Sequence, residues 1–230
     1  MEPTTAIDPA TAAQAAEHSN FIVHAFQAGG FAMYLIAAFG ILTIILILER
    51  MFTLRALTVD KADFNEHLFG MVLRGDIRQA ITYCDSKPAP LTNTLKSGLV
   101  QVMNHRADEE VQVAMDAAVL RETPRIEGWA AFLAVFSNTA TLVGLTGTIM
   151  GMIKSFQGLS AAGAAEKAQR LSEGISEALH CTAFGLMVAI IGILGYGYFQ
   201  MRISRIINDV VESSMSLMNL VVANRDKIKE

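Results

Sequence analysis

Charge is scarce in this chain. Asp, Glu, Lys and Arg make up 17% of its 230 residues, against about 25% in ordinary soluble domains, and the mean hydropathy is +0.39. Basic residues are absent altogether before Arg50. A cleavable signal peptide needs a basic segment ahead of its apolar stretch, so none is expected here. The net charge of −4, with no basic stripe interleaved with aromatics, gives no case for nucleic-acid binding, and no nucleic-acid partner is expected. Two cysteines, Cys84 and Cys181, are too few for a disulfide framework and read as free thiols. No GxSxG, P-loop or GxGxxG run is present. His18, His24, His67, His105 and His180 are scattered without metal-ligand spacing. Neither a catalytic site nor a metal site is expected, and no cofactor.

What the chain does have is apolar sequence gathered into blocks: 52% of residues are hydrophobic. Stretches over 30–48, 129–153 and 179–201 are each about as long as the roughly 20 residues that cross a bilayer as a helix. Glu49 and Arg50 end the first, Lys154 the second and Arg202 the third. Lys and Arg set the orientation. They follow the first span (Arg50, Arg55, Lys61), precede the second (Arg121, Arg125) and follow the third (Arg202, Arg205). The short connection after the second span has only Lys167 and Arg170, among three acids. The expected fold is therefore an all-α membrane protein with three transmembrane helices and long cytoplasmic helical extensions. Its parts are a periplasmic segment 1–28, a first span 29–49, a cytoplasmic helical region 50–127, a second span 128–154, a periplasmic connection 155–178, a third span 179–201 and a cytoplasmic helix 202–230.

Within 50–127, apolar residues recur at helical spacing. Gly75-Asp76 breaks the pattern, with Asp76 in the place of an N-cap. Lys87 to Pro90 reads as a loop, and Pro124 as a kink or boundary before the second span. Arg74-Gly75-Asp76 is a helix–helix turn. The apolar face from Ile203 to Val221 predicts that the third helix continues past the membrane and packs on the 50–127 helices.

Spans two and three each carry a stripe of small residues. Ala130, Ala134, Ser137, Thr141, Gly144, Thr148, Gly151 and Ser155 alternate steps of four and three, which is one helix face. Ala178, Thr182, Gly185, Ala189 and Gly192 do the same. Such faces let backbones approach closely, and Gly147 with Gly151 adds a GxxxG. The first span has no comparable stripe and is expected towards lipid. Thr148 lies six residues before Lys154 and Thr182 five after Glu177, so both sit roughly 8–9 Å inside the same boundary by helix rise. Two hydroxyls at matched depth either line a narrow polar path or each bond their own helix carbonyl. No acid lies in the middle of any span; Glu177 is at an edge. Ion transport would then need a carboxylate from a partner.

The run LVGLTGTIMGMIKSF over 142–156 is similar to the pattern LLGLLGTVxGxxxxF, and GISEALHCTAFGLMVAI over 174–190 to GIxxALxxTAxGLxxAI. By these motifs the chain resembles the TolQ/ExbB/MotA family of ion-channel motor subunits, in its three-span TolQ/ExbB branch. The resemblance implies a homo-pentamer around a dimer of a TolR/ExbD/MotB-like partner, whose single span brings an essential Asp. It implies a stator subunit of the bacterial inner membrane that couples H⁺ or Na⁺ flow to work on the envelope through a TonB-, TolA- or gliding-complex protein. It makes Thr148 and Thr182 pore-facing, Glu177 the acid at the outer end of the third span, and Glu49 and Arg50 the pair after the first. One departure stands out: where family members often carry Pro, Ile190 is followed by Ile191 and Gly192. A non-conducting membrane scaffold is the other reading of the same stripes.

Overall fold

The computed structural model describes residues 30–157 and 164–225. The described residues form seven α-helices and no strand: α1 (Gly30–Leu57), α2 (Lys61–Leu73), α3 (Ile77–Ser86), α4 (Pro90–Met103), α5 (Asp108–Glu127), α6 (Ala130–Gln157) and α7 (Ala164–Ala223). Three stretches, within Gly30–Leu73, Asp108–Gln157 and Lys167–Ala223, are long and apolar enough to cross a membrane. Helix α7 has 60 residues, far more than the roughly 20 that cross the hydrocarbon core.

The helix limits do not coincide with the expected span limits. Glu49 and Arg50 end the apolar stretch but not the helix, since α1 runs on to Leu57. Charge marks where a helix leaves lipid, whereas the backbone ladder stops only at a breaker. For the same reason much of the expected connection 155–178 is helical: α6 reaches Gln157, and α7 starts at Ala164 in a run of good helix formers. The segment 1–28 lies outside the described residues.

The chain divides into two compact units. The first comprises residues up to 45 together with 132–194. Here α6 and α7 pack antiparallel through their small faces, with Ser137 against Gly192, Gly144 against Gly185, Gly151 against Ala178 and Ser155 against Gly174. A Cβ added to Gly185 would lie 2.8 Å from the Ala140 carbonyl oxygen, and one added to Gly144 3.1 Å from that of Cys181. Only hydrogen fits at Gly185, and a methyl at Gly144 would force its neighbours to give way. Helix α1 joins through Met33, Ile36, Gly40 and Thr43, a narrow face in which Gly40 meets Val188 and Thr43 reaches Gly192. Its remaining surface, including Phe31, Tyr34, Ile41, Ile44 and Ile45, is exposed, apolar and suited to lipid.

The second unit comprises 46–131 and 195–230. Its core gathers Phe64, Leu68 and Val72 of α2, Ala80 and Cys84 of α3, Leu91, Leu95 and Leu99 of α4, Val111 and Met115 of α5, and Val210, Leu217 and Val221 of α7. Each large side chain buried there contributes about 1.5–3 kcal/mol. Lys61 donates to Asp209 and Glu212 on α7, at 3.2 and 2.5 Å. At the start of α4, Pro90 occupies the first turn and the Thr92 hydroxyl accepts the Ala89 N–H at 2.8 Å. Asp76 stands at the N-cap of α3 but makes no side-chain cap bond. Pro124 lies inside α5, which ends three residues later at Glu127, with Gly128 as its C-cap. Gly128 has φ +42°, donates to the Pro124 carbonyl at 2.8 Å, and has the Arg50 guanidinium where a Cβ would be.

Candidate functional site

The close approach of α6 and α7 in the first unit brings Thr148 and Thr182 together. Their hydroxyl oxygens are 2.6 Å apart. Each also approaches the Gly144 carbonyl, Thr148 at 3.1 Å along its own helix and Thr182 at 3.2 Å across the interface. Thr148 thus bonds a carbonyl of its own helix, whereas Thr182 reaches a carbonyl of the other helix. The pair exists because Gly144 and Gly185 remove the side chains that would hold the helices apart.

Two hydroxyl protons cannot satisfy three contacts. Either Thr148 donates to Thr182, which donates to Gly144, or Thr182 donates to Thr148, which does so. The two settings use the same atoms in opposite order. Such a pair can pass a proton by reorienting, or offer lone pairs to a cation. It cannot hold a charge, since neither hydroxyl titrates near neutral pH. Thr148 also opens onto a shallow groove lined by Ile149, Met152, Ile153, Phe156 and Gln157. Ile149 and Phe156 are exposed, so the hydroxyl pair borders an apolar surface left uncovered by the described residues.

Glu177 lies one and a half turns from Thr182 and accepts from Lys154 at 3.0 Å. Its carboxylate touches Gly30, at the start of α1. This cross-helix pair closes the same end of the α6–α7 interface, which accounts for the matched depth of the threonines. Lys154 was legible only as the end of a span; its pairing needed the interhelical register. Gly147 packs on Cys181 and Ala32, and Gly151 on Ala178 and the Gly174 carbonyl.

Glu49 and Arg50 belong to the second unit. Arg50 Nε lies 2.8 Å from Glu49 Oε2, and Thr53 donates to Glu49 Oε1 at 2.9 Å. Adjacent residues on a helix do not face each other, so the ion pair is close but poorly aligned. Arg50 is 3% exposed, and its Nη1 has no hydrogen-bond partner among the described residues. No group of His, Cys, Asp and Glu among those residues could hold a metal ion.

Residues 86–212 match the model of the MotA/TolQ/ExbB proton channel family, a stretch that covers more than half of the chain. The chain belongs to this MotA/TolQ/ExbB family. It is similar to the Tol-Pal system protein TolQ of Pseudomonas aeruginosa, with 40% identity over 94 residues, 41% of this chain and 40% of that protein. TolQ of Haemophilus influenzae is 36% identical over 96 residues, 42% of each chain. A putative biopolymer transport protein, an ExbB homolog of Methanothermobacter thermautotrophicus, is 28% identical over 183 residues, 79% of this chain and 64% of that protein. The chain thus matches about two-fifths of the length of the TolQ relatives. The family match contains α6 whole, and with it both threonines and all the packing glycines of the site.

Proposed function

We propose that this chain is the channel-forming stator subunit of an inner-membrane motor, coupling proton (or sodium) flow to mechanical work on the cell envelope. It acts as a homo-pentamer around a dimer of a one-span partner whose Asp supplies the titrating group. Its N-terminus is periplasmic and its C-terminus cytoplasmic, as the Lys and Arg distribution favours. The work is of the TonB, Tol-Pal or gliding kind, and the chain has no catalytic activity of its own.

The observation that carries this reading is the Thr148–Thr182 hydroxyl pair, held at 2.6 Å across two glycine-lined helix faces. It lies in spans with no acid at their middle. A relay without a carrier is half of a conducting path, and a carboxylate on another helix is the missing half. The apolar groove beside Thr148 gives such a helix a surface to lie on. A scaffold needs the packing glycines but has no use for two hydroxyls in contact.

The test is the Thr148→Val/Thr182→Val variant, co-purified with its one-span partner and reconstituted into vesicles containing a pH-sensitive dye. Valine keeps the shape and removes both protons. Flux should fall at least tenfold, about 1.4 kcal/mol in the barrier, with subunit assembly unchanged. Undiminished flux in an intact complex refutes the relay, and absence of flux in the wild-type complex favours the scaffold.

A further inference from the structure

The second unit carries a groove that ion conduction does not use. Ile47, Met51, Leu54 and Arg55 of α1 face Gly195, Tyr198, Phe199 and Arg202 of α7 around a cavity of about 340 Å³. That is within the roughly 300–1,000 Å³ usual for ligand clefts. Its floor is the contact of Gly195 with Ile47, whose Cδ1 lies 3.2 Å from where a Cβ would stand. The two helices run the same way from there. Arg55 is eight residues beyond Ile47 and Arg202 seven beyond Gly195, so both residues stand about 10–12 Å along their helices from the floor. The groove is apolar at one end and doubly cationic at the other.

Neither arginine has an ion pair or hydrogen bond among the described residues, and the nearby acids are all engaged. Glu49 is held by Arg50 and Thr53, Asp60 caps the Ala62 N–H, and Asp209 and Glu212 share Lys61. The favourable end of the helix dipole explains Arg55, in the last turn of α1, but not Arg202, which lies far inside α7. Tyr198, exposed and edge-on to Phe199, has the amphipathic ring that favours the headgroup level of a bilayer.

We infer that this groove binds one anionic phospholipid, its phosphate between Arg55 and Arg202 and an acyl chain along Met51, Gly195 and Ile47. The charge fits an anion and the apolar floor fits a chain, which together favour a lipid over a free phosphate. Basic pockets between membrane helices recognise acidic headgroups in this way. The inference needs only that α1 and α7 cross a membrane. It stands whether or not the protein conducts ions.

The experiment is native mass spectrometry of the purified complex, titrated in mild detergent with dioleoyl-phosphatidylglycerol or dioleoyl-phosphatidylethanolamine. The wild type should bind the anionic lipid at least tenfold more tightly. Arg55→Gln/Arg202→Gln should lose that preference while keeping its thermal midpoint and oligomeric size. Arg205→Gln, one turn on and outside the groove, should keep the preference. Equal binding of the two lipids by the wild type overturns the inference without recourse to any variant. So does a preference that survives the double substitution, or intersubunit cross-links through Met51→Cys and Tyr198→Cys showing that a second copy fills the groove.

Discussion

Replacing Gly185 by alanine tests whether the hydroxyl pair depends on backbone proximity. The added Cβ would lie 2.8 Å from the Ala140 carbonyl oxygen and 3.1 Å from the Gly144 Cα. Carbon contacts are comfortable only from about 3.5 Å, and both opposing atoms are backbone. Helices α6 and α7 must therefore separate by roughly 0.5 Å. Thr182 is on the same face three residues away, and its 2.6 Å contact with Thr148 should lengthen past good hydrogen-bond distance. Alanine also gains about 1 kcal/mol of helix propensity over glycine, so a control must share that gain. Gly197, on the same helix, has nothing within 4 Å of its added Cβ. The difference between Gly185→Ala and Gly197→Ala isolates the steric cost, expected at about 1–3 kcal/mol from overpacking. Equilibrium unfolding by sodium dodecyl sulfate in mixed micelles measures it, and ion flux of the reconstituted complex should fall in step. Stabilities of the two variants within about 0.5 kcal/mol of each other, the noise of such comparisons, would refute the close-packing account.

Three further outcomes follow. Gly128→Ala should cost about 2–3 kcal/mol, from positive φ and from the Arg50 guanidinium that occupies the place of its Cβ; in an Arg50→Ala background the cost should shrink by about 1 kcal/mol, and strict additivity in a double-mutant cycle would contradict the contact. Lys61 is held above its ordinary 10.5, chiefly by its hydrogen bond to Glu212; a raised folded value stabilises fully below the unfolded one and the gain is lost as pH rises through the folded one, so wild-type stability should drop by up to about 1 kcal/mol in strong alkali while Lys61→Met shows no such step. Burial pushes the Cys84 thiol from 9.0 up to about 12, cutting its thiolate fraction about a thousandfold, so maleimide at pH 7.5 should label it only after unfolding; rapid labelling of native protein would show the α3–α4 core to be open.

What the sequence made legible was what repeats along one helix. The four-and-three spacing of small residues marked the faces of α6 and α7 that the structure packs together, and the distances to Lys154 and Glu177 placed two threonines level before any contact was known. Pairing across helices was hidden, because register is a property of two segments. Nothing local tells Thr182 that its second acceptor is the Gly144 carbonyl, or Lys61 that its acids lie 148 and 151 residues away. Helix ends were not legible for a related reason: Glu49 and Arg50 mark the end of the apolar run, while the backbone of α1 continues for two more turns. The narrow buried face of α1, with Gly40 and Thr43, was overlooked because bulky Met33 and Ile36 share it and conceal the stripe.

Three close oxygens served by two hydrogens have a consequence for timing. If protons are the cargo, entering from a donor and leaving to an acceptor beyond the pair, each one handed across leaves both threonines facing backwards, and the next waits until they have swung round. Transit is then single-file with a recovery interval, one that heavy water lengthens and that a sodium ion, borne on lone pairs alone, would never meet.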